Sequence, residues 1–357
     1  MIDGPVLDLD EMTPAWLSER LGEAGRDAVV SGVEWTQIGT GQIGRCYRAT
    51  LEFSSRDPET PASLVVKLAS VDPTSRATGV ALRNYLREVR FYQHLTTTLS
   101  IRVPRCYYAA IEGEGPEFTL LLEDMSPAEQ GDQLAGTTAA VAEVAVLELV
   151  GLHAPSWDRE SLYEYEWLYH RPEIGADDSG ALYNQHLPGF LDRYGPTLTA
   201  EQRQIIARYG ELLGQEPAGY SGRRALVHID YRLDNLLIDS SGPTPAVTVV
   251  DWQSITVGSP LGDVAYFLGA GLLPEHRRPI EEGIVRKYYD ALQAAGVEDY
   301  TWSQCWDDYR LGTFAGFGVT VIASMIVERT ERGDAMFTAM AQRHSQHALD
   351  HEADRLF

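Results

Sequence analysis

The segment HIDYRLDN, residues 228 to 235, and the segment VTVVDWQ, residues 247 to 253, decide how this chain is interpreted. Asp230 lies five residues before Asn235, and Asp251 follows a β-branched run that predicts a strand. Each residue alone would be an ordinary turn residue. Together they supply one carboxylate to orient a hydroxyl and two oxygen ligands for magnesium, as phosphoryl transfer requires. We therefore expect Asp230 to be catalytic, and Asn235 and Asp251 to hold Mg²⁺.

Length and charge limit the class of protein. At 357 residues the chain exceeds the size at which one hydrophobic core usually keeps growing, so we expect two domains. Its 29 basic and 52 acidic residues give a formal net charge of −23, which disfavours nucleic acid and anionic membranes as partners. The same charge repels a nucleoside triphosphate, so an ATP site would need a local cation and a divalent metal.

The cysteines and the apolar segments predict a cytoplasmic protein. Cys46, Cys106 and Cys305 are odd in number and widely spaced, so they indicate neither a disulfide framework nor a zinc site. The first residues, MIDGPVLDLDEM, carry acids where a secretory signal carries basic residues. The uncharged stretch from Leu311 to Val327 is short for a membrane-spanning helix, so we expect a buried core helix.

The N-terminal region has the pattern of a small β-rich domain. Strand-like alternation runs from Val33 to Lys67, after a helix capped at Thr13 with Pro14 in its first turn, and helical spacing runs from Val80 to Thr96. Lys67 is the single charge in the apolar strand SLVVKLA. We expect its ammonium to contact phosphate, with Glu88 on the next helix as its ion-pair partner. The alternative is that Lys67 reaches solvent from a sheet edge.

Two further features of this region concern nucleotide binding. Gly39, Gly41 and Gly44 lie between strand-like segments, where glycine lets backbone amides approach a triphosphate, although a plain hairpin turn also favours glycine. The run FTLLLEDM predicts a strand that ends near Glu123 and Met125. We expect backbone groups of that segment to meet an adenine edge, although a plain buried strand fits the leucines equally well.

The remainder of the chain is predicted to be mostly helical. The segment SPAEQGDQLAG interrupts the strand pattern, so we place a boundary between a nucleotide-binding domain, 1–125, and a catalytic and acceptor-binding domain, 126–357. We expect helices at 137–152, 187–194, 200–213 and after 261 apart from turns at Gly296 and Gly333, and a strand pair at 226–238 and 247–250.

Two residues beside the centre are expected to have structural roles. His228 is expected to brace the catalytic loop by hydrogen bonds rather than to transfer a proton. Asp263 would either cap the helix that follows it or accept hydrogen bonds from the amides of the catalytic loop. We favour the second role.

These motifs resemble the aminoglycoside phosphotransferase and choline kinase-like superfamily, relatives of the protein kinases. HIDYRLDN with VVDWQSITVGSPLGDVAYFL is similar to the branch that includes ecdysteroid kinase-like proteins, as is LVGLHAPSW from Leu149. The resemblance implies an α+β, bilobal, protein-kinase-like fold with a small antiparallel β lobe and a mostly helical large lobe. It assigns Lys67 and Glu88 as the phosphate lysine and its partner. The chain departs from the pattern at Ile229, where these small-molecule kinases usually carry glycine.

We therefore predict an ATP-dependent kinase that transfers the γ-phosphate to a hydroxyl of a small metabolite or natural product. Nothing resembling the activation segment of peptide-directed kinases follows Asp251. One alternative is an aminoglycoside-type antibiotic phosphotransferase. Another is a hydroxyacyl-CoA kinase, since HxDYRLDN also resembles kinase-like domains fused to acyl-CoA dehydrogenases. A third is a catalytically silent nucleotide-binding scaffold. The sequence leaves open the acceptor, the choice between ATP and GTP, and the oligomeric state.

Overall fold

In the computed structural model, which describes residues 4–39, 43–169 and 178–357, a five-stranded antiparallel sheet forms the N-terminal part of the protein. Its strands, in the spatial order β1-β2-β3-β5-β4, are β1 (Ala28–Ile38), β2 (Gly44–Arg56), β3 (Ser63–Ala69), β4 (Cys106–Ile111) and β5 (Phe118–Glu123). Leu64, Val66 and Leu68 of β3 are buried on one face, and Lys67 lies on the other. Because β3 is a central strand, the alternative that Lys67 reaches solvent from a sheet edge is wrong.

Helix α1 (Pro14–Glu23) packs on the apolar face of this sheet. Thr13 caps it as predicted, because the Thr13 Oγ1 accepts a hydrogen bond from the N–H of Trp16 at 3.2 Å. Leu17 and Leu21 are fully buried against the strands. Each such leucine contributes about 1.5–3 kcal/mol on burial. The opposite face of the sheet, which carries Lys67, is therefore the one left for polar chemistry.

The helix predicted from Val80 to Thr96 is two helices in the structure, α2 (Pro73–Ala81) and α3 (Asn84–His94). The break lies at Arg83, which has a φ of +59°. A residue in this left-handed region cannot continue a right-handed helix. Helix α3 packs against β4 and β5 and buries Glu88.

Helices make up most of the chain after residue 128. They are α4 (Ala139–Glu148), α5 (Val150–Ser156), α6 (Asp178–Tyr194), α7 (Ala200–Leu212), α8 (Pro260–Gly271), α9 (Pro274–Arg277), α10 (Glu281–Ala294), α11 (Trp302–Gly312), α12 (Ala315–Gly318), α13 (Ser324–Ile326) and α14 (Glu331–Asp350). The single helix predicted at 137–152 is α4 followed by α5. The predicted turn at Gly333 is wrong, because Gly333 lies in the first turn of α14 and donates to Thr330.

Short strands surround the catalytic segment. They are β6 (Glu129–Gln130), β7 (Ala225–Val227), β8 (Leu236–Asp239), β9 (Ala246–Val249) and β10 (Thr256–Gly258). The predicted strand at 226–238 is wrong as one element, because residues 228–235 form a loop between β7 and β8. β8 pairs with β9, whereas β7 pairs with β10. The loop that carries HIDYRLDN is therefore free of sheet pairing and can present its side chains.

The chain forms two compact units, each made of several segments. We call the first the sheet unit; it contains Met1–Thr98, Val103–Pro127 and Asp251–Ser254. We call the second the helical unit; it contains Leu99–Arg102, Ala128–Val250 and Ile255–Phe357. The boundary after Met125 stays a prediction, and the short segment Asp251–Ser254 belongs to the sheet unit.

Within the described residues, two helical segments are long and apolar enough to cross a membrane, by length and composition alone. They are Ala139–Ser156 and Trp302–Ile326, and about half of each apolar window is buried in the protein. The second includes the predicted core helix at 311–327, which a π-helical turn at Val319–Ala323 interrupts. Core helices pass the same test, so these segments are weak evidence for a membrane span.

Candidate active site

Lys67 lies at the centre of a network of charged residues in the sheet unit. Its Nζ is 2.7 Å from the Oε2 of Glu88 and 2.8 Å from the Oδ1 of Asp251. The side chain of Lys67 is 13% exposed and that of Glu88 is 3% exposed. The structure therefore brings together the predicted phosphate lysine, its predicted partner and one predicted metal ligand.

This network carries more negative than positive charge. Burial alone would lower the pKa of Lys67, but Asp251 and Glu88 outweigh burial and raise the pKa well above its ordinary value of 10.5. Burial raises the pKa of Glu88 above its ordinary value of 4.5, and Lys67 opposes this shift. Lys67 is thus a held cation, and a second cation beside Asp251 would balance the remaining carboxylate charge.

The segment that begins with Asp251 is anchored to α3. The ring of Trp252 stacks on Phe91 with centroids 3.9 Å apart and planes 9° from parallel. The side-chain amide of Asn84 donates to the carbonyl oxygen of Gln253 at 3.1 Å. Asp251 has a φ of +65°, a left-handed conformation that aspartate adopts more readily than most residues. Helix α3 therefore positions both carboxylates of the Lys67 network, a role for the aromatic pair that the sequence did not reveal.

The predicted glycine loop is described only in part. Gly39 has a φ of +69°, and Gly41 lies outside the described residues. A Cβ at Gly44 would lie 3.1 Å from the Cε of Lys67 and 3.2 Å from the carbonyl oxygen of Leu68. Because Gly44 has no side chain, the aliphatic part of Lys67 has room to lie beside it on this face of the sheet.

The predicted adenine-edge residues lie at and beyond the end of β5. The N–H of Glu123 donates to the carbonyl oxygen of Arg105 at 2.8 Å, and the Glu123 Oε2 accepts a hydrogen bond from the N–H of Arg105 at 3.1 Å. Met125 is half-buried beyond the strand. Since the N–H of Glu123 is engaged within the sheet unit, an adenine edge would have to bond other backbone groups of this segment.

In the helical unit, Asp263 holds the start of the catalytic loop. Its Oδ2 accepts a hydrogen bond from the N–H of His228 at 2.6 Å, and its Oδ1 accepts one from the N–H of Ile229 at 2.9 Å. Asp263 itself lies in the first turn of α8. These two hydrogen bonds are the contacts expected of the favoured one of its two predicted roles, in which it bonds the loop amides. Ile229 has a φ of +73°, so the backbone keeps the conformation that suits glycine although the residue is β-branched.

Two histidines support this arrangement. The fully buried ring of His228 places its Nε2 3.1 Å from the carbonyl oxygen of Val250, a contact that braces the loop as predicted. His153 lies with its Nδ1 2.7 Å from the hydroxyl of Tyr288 and its Nε2 3.5 Å from Asp263. His153 lies within LVGLHAPSW and had no predicted role; its place beside Asp263 suits it to orient the carboxylate that holds the loop.

Asp230 is surrounded by hydrogen-bond donors. Its Oδ1 accepts a bond from the hydroxyl of Tyr266 at 2.8 Å, and its Oδ2 accepts one from the Nδ2 of Asn235 at 3.0 Å. The Nε of Arg232 lies 3.0 Å from each of the two oxygens. Sequence reasoning missed Arg232 and Tyr266. The available signal was helical spacing, because Tyr266 follows Asp263 by three residues and so shares its face of α8.

Each of the two predicted metal ligands, taken within its own unit, offers an oxygen suited to a hard divalent cation. Asn235 directs its Nδ2 to the carbonyl oxygen and the carboxylate of Asp230, which leaves its amide oxygen without a hydrogen bond to any described residue. Asp251 supplies a carboxylate within the Lys67 network. Amide and carboxylate oxygens are the ligands that Mg²⁺ prefers.

Another group of metal-ligand side chains lies in the helical unit. Glu281, His347 and His351 place their ligand atoms within 4.8 Å of one another. However, the guanidinium of Arg277 bonds the same oxygen of Glu281 that faces both imidazoles. A metal ion would therefore meet a fixed positive charge, and we interpret this group as a buried ion-pair network.

Comparison with known proteins defines the class to which this fold and site belong. The choline kinase of Cryptosporidium parvum Iowa II shares the fold with a TM-score of 0.58 and 10% identity, over 90% of this chain and 89% of that one. The ethanolamine kinase of Plasmodium vivax gives a TM-score of 0.50 and 11% identity, over 86% and 80% of the two chains. The predicted α+β, protein-kinase-like fold is therefore confirmed.

Family membership follows from the sequence. A model of the phosphotransferase enzyme family matches residues 34–306, so the chain belongs to that family. A stretch of 131 residues is 33% identical to acyl-CoA dehydrogenase family member 10 of Mus musculus. That stretch covers 34% of this chain and only 12% of the mouse protein. Membership of the ecdysteroid kinase-like branch stays a prediction.

Proposed function

We propose that this protein transfers the γ-phosphate of ATP to a hydroxyl group of a small molecule. The observation that carries the proposal is the Lys67 network, in which one held cation is shared by two carboxylates. An arrangement of this kind stabilises the charge of a nucleotide phosphate through the lysine and has spare negative charge for a metal. Family membership supports the same reaction class.

In this proposal Asp230 receives the hydrogen bond of the acceptor hydroxyl. The carboxylate is 19% exposed, so a small molecule can reach it. The oxygen of the acceptor attacks the γ-phosphorus, the bond to the β–γ bridging oxygen breaks, and ADP leaves. Asp230 orients the hydroxyl and takes its proton as the new bond forms. Because the transition state of such transfers is loose, positioning and electrostatics supply most of the rate.

We further propose that Asn235 and Asp251 hold Mg²⁺. The bound ion would neutralise phosphate charge, which matters in a chain of net charge −23. The glycines at 39, 41 and 44 are proposed to contact the phosphates, and the segment from Glu123 to Met125 the adenine. The strongly acidic surface also supports a small-molecule acceptor in the cytoplasm rather than nucleic acid or an anionic membrane.

A second candidate is transfer to a hydroxyacyl thioester. It is favoured by the stretch that is 33% identical to acyl-CoA dehydrogenase family member 10. The antibiotic acceptor and the catalytically silent scaffold remain as outcomes of the test below. Since Lys67, Glu88, Asp230, Asn235 and Asp251 are all present, active chemistry is the better supported choice.

The test is ADP formation with Mg·ATP or Mg·GTP and a panel of acceptors. The panel contains amino alcohols, sugars, ecdysteroids, aminoglycosides and hydroxyacyl-CoA thioesters. We expect Asp230→Asn to lower kcat on the responding acceptor by about 10²–10⁴-fold while nucleotide affinity changes less than about twofold. Asp239→Asn is the matched control, because the carboxylate of Asp239 accepts a hydrogen bond from the N–H of Ser241 and, among the described residues, from no predicted site residue. The proposal would be refuted if no acceptor of the panel stimulated ADP formation by the wild type. It would also be refuted if the Asp230→Asn variant kept the wild-type rate.

A further inference from the structure

The carboxylate of Asp230 has no vacant position for an acceptor hydroxyl. A carboxylate accepts about four hydrogen bonds. Tyr266 and Asn235 each supply one, and the Nε of Arg232 is shared between both oxygens at 3.0 Å. For a hydroxyl to bond Asp230, one of these three donors must leave.

Two of the donors are fixed in place. Tyr266 is 1% exposed within α8, and its hydroxyl bonds the Oδ1 of Asp230 at 2.8 Å. Asn235 is 5% exposed and bonds the backbone carbonyl of Asp230 at 2.9 Å as well as its carboxylate. Moving either one would leave a buried polar group without its partner, which costs about 1–3 kcal/mol.

Arg232 is the donor that can leave at least cost. Its side chain is 18% exposed, and its Nη2 makes no hydrogen bond to the part of the chain that the structure describes. Its Nη1 bonds the Oδ2 of Asp234 at 2.8 Å. Asp234 has other partners, because Arg332 lies 3.2 Å from its Oδ1 and the N–H of Gln133 donates to the same oxygen at 3.1 Å. Departure of Arg232 therefore leaves Asp234 paired.

We propose that Arg232 is a phosphate-contacting residue that exchanges partners: it pairs with Asp230 in the nucleotide-free protein and with the γ-phosphate when a nucleoside triphosphate is bound. The exchange opens one position on Asp230 for the acceptor hydroxyl. The planar guanidinium suits the exchange, because it bonds carboxylate and phosphate oxygens with the same geometry. No covalent bond changes in this step. The inference rests on the proposed function, since it requires a nucleotide beside Asp230.

The exchange makes a specific prediction about nucleotide affinity. Only a nucleotide with a γ-phosphate offers Arg232 its second partner. We expect Arg232→Met to weaken binding of the Mg complex of AMP-PNP at least tenfold and to change binding of Mg·ADP less than twofold, both measured by isothermal titration calorimetry. Arg332→Met is the matched control, because Arg332 contacts Asp234 but not Asp230. It should leave the ratio of the two dissociation constants unchanged.

The outcomes separate this inference from the proposed function. Wild-type protein that binds neither AMP-PNP nor ADP with Mg²⁺ would refute the proposed function. If the wild type binds both and Arg232→Met changes both affinities equally, or neither, the exchange is overturned. If the methionine variant does not fold, Arg232→Lys decides: a threefold or larger loss confined to AMP-PNP supports the exchange, and an equal change for both nucleotides overturns it.

Discussion

The two groups of predicted site residues are built in opposite ways. In the sheet unit a cation, Lys67, is held between two carboxylates at 2.7 and 2.8 Å. In the helical unit an anion, Asp230, is held by two neutral donors and one arginine. The first group is a fixed electrostatic network, whereas the second contains one partner that can move. We therefore expect the first group to affect stability and the second to affect mainly the proposed reaction.

The two groups differ in which charges remain unpaired when Lys67 or Asp230 is removed. Without Lys67, Glu88 is a buried carboxylate with no cation, which is a large penalty. Without the carboxylate of Asp230, the Asn235 amide keeps the backbone carbonyl of residue 230 and the Arg232 guanidinium keeps Asp234, so no buried charge is left unpaired. We therefore expect substitutions in the sheet unit to lower both stability and activity, and those in the helical unit to lower mainly activity.

Replacing Lys67 should have the largest effect. Lys67→Met removes the cation that we propose contacts phosphate and leaves Glu88, whose side chain is 3% exposed, without its ion pair. We expect kcat/KM to fall by about 10²–10³-fold, as for the loss of one charge-stabilising donor. We also expect the free energy of unfolding to fall by about 3 kcal/mol at pH 8. Urea denaturation and the ADP-formation assay measure the two effects.

The pH dependence of this variant identifies the cause. Burial already raises the pKa of Glu88 above 4.5, and loss of Lys67 raises it further. An acid whose folded pKa is raised stabilises the protein below its unfolded pKa and loses that contribution as pH rises through the folded pKa. Lys67→Met should thus be less stable at pH 8 than at pH 5, whereas Lys67→Met with Glu88→Gln should show a flat profile without recovering activity. A pH-independent stability of the single variant would contradict this.

Replacing Asp251 tests whether the spare charge of the sheet unit serves a metal. Asp251→Ala should weaken ATP binding in the presence of Mg²⁺ at least tenfold, about 1.4 kcal/mol, through loss of a ligand. Titrations with and without EDTA provide the measurement. The variant should bind ATP with nearly the same affinity in both conditions, because it has lost the metal contribution. Wild-type affinity that does not depend on Mg²⁺ would show that the carboxylate serves only Lys67.

Replacing Tyr266 tests the helical unit, where we expect activity to fall more than stability. Tyr266→Phe removes one neutral bond to Asp230, worth about 1 kcal/mol, so kcat should fall about fivefold with little change in nucleotide affinity. Tyr183→Phe is the matched control, since Tyr183 is equally buried and its hydroxyl bonds the carbonyl of Ile206 instead. Equal losses of kcat in the two variants would mean that the tyrosine acts only through packing.

Sequence spacing predicted the charged residues of the site but not the groups that hold them. The strand SLVVKLA was predictable because alternation acts locally, and the role of Asp263 could be favoured because a carboxylate readily accepts hydrogen bonds from loop amides. The break at Arg83 and the pairing of β7 with β10 were not, because tertiary contacts decide them. The contact of Arg232 with Asp230 was not predictable either. An arginine two residues beyond an aspartate in a loop can point anywhere until the backbone path is known.

The smallest expected effect concerns Ile229, which shares a positive φ with Asp251 but lacks the short polar side chain that tolerates it. Its left-handed backbone costs about 1–3 kcal/mol, and glycine would relieve this strain at an entropic cost of about 0.5–1 kcal/mol. We expect Ile229→Gly to raise the free energy of unfolding by about 1 kcal/mol. Ile326→Gly, at a similarly exposed isoleucine within a helix, should lower it by about the same amount. Destabilisation by both glycines would show that the loop is unstrained and that Asp263 alone sets its path.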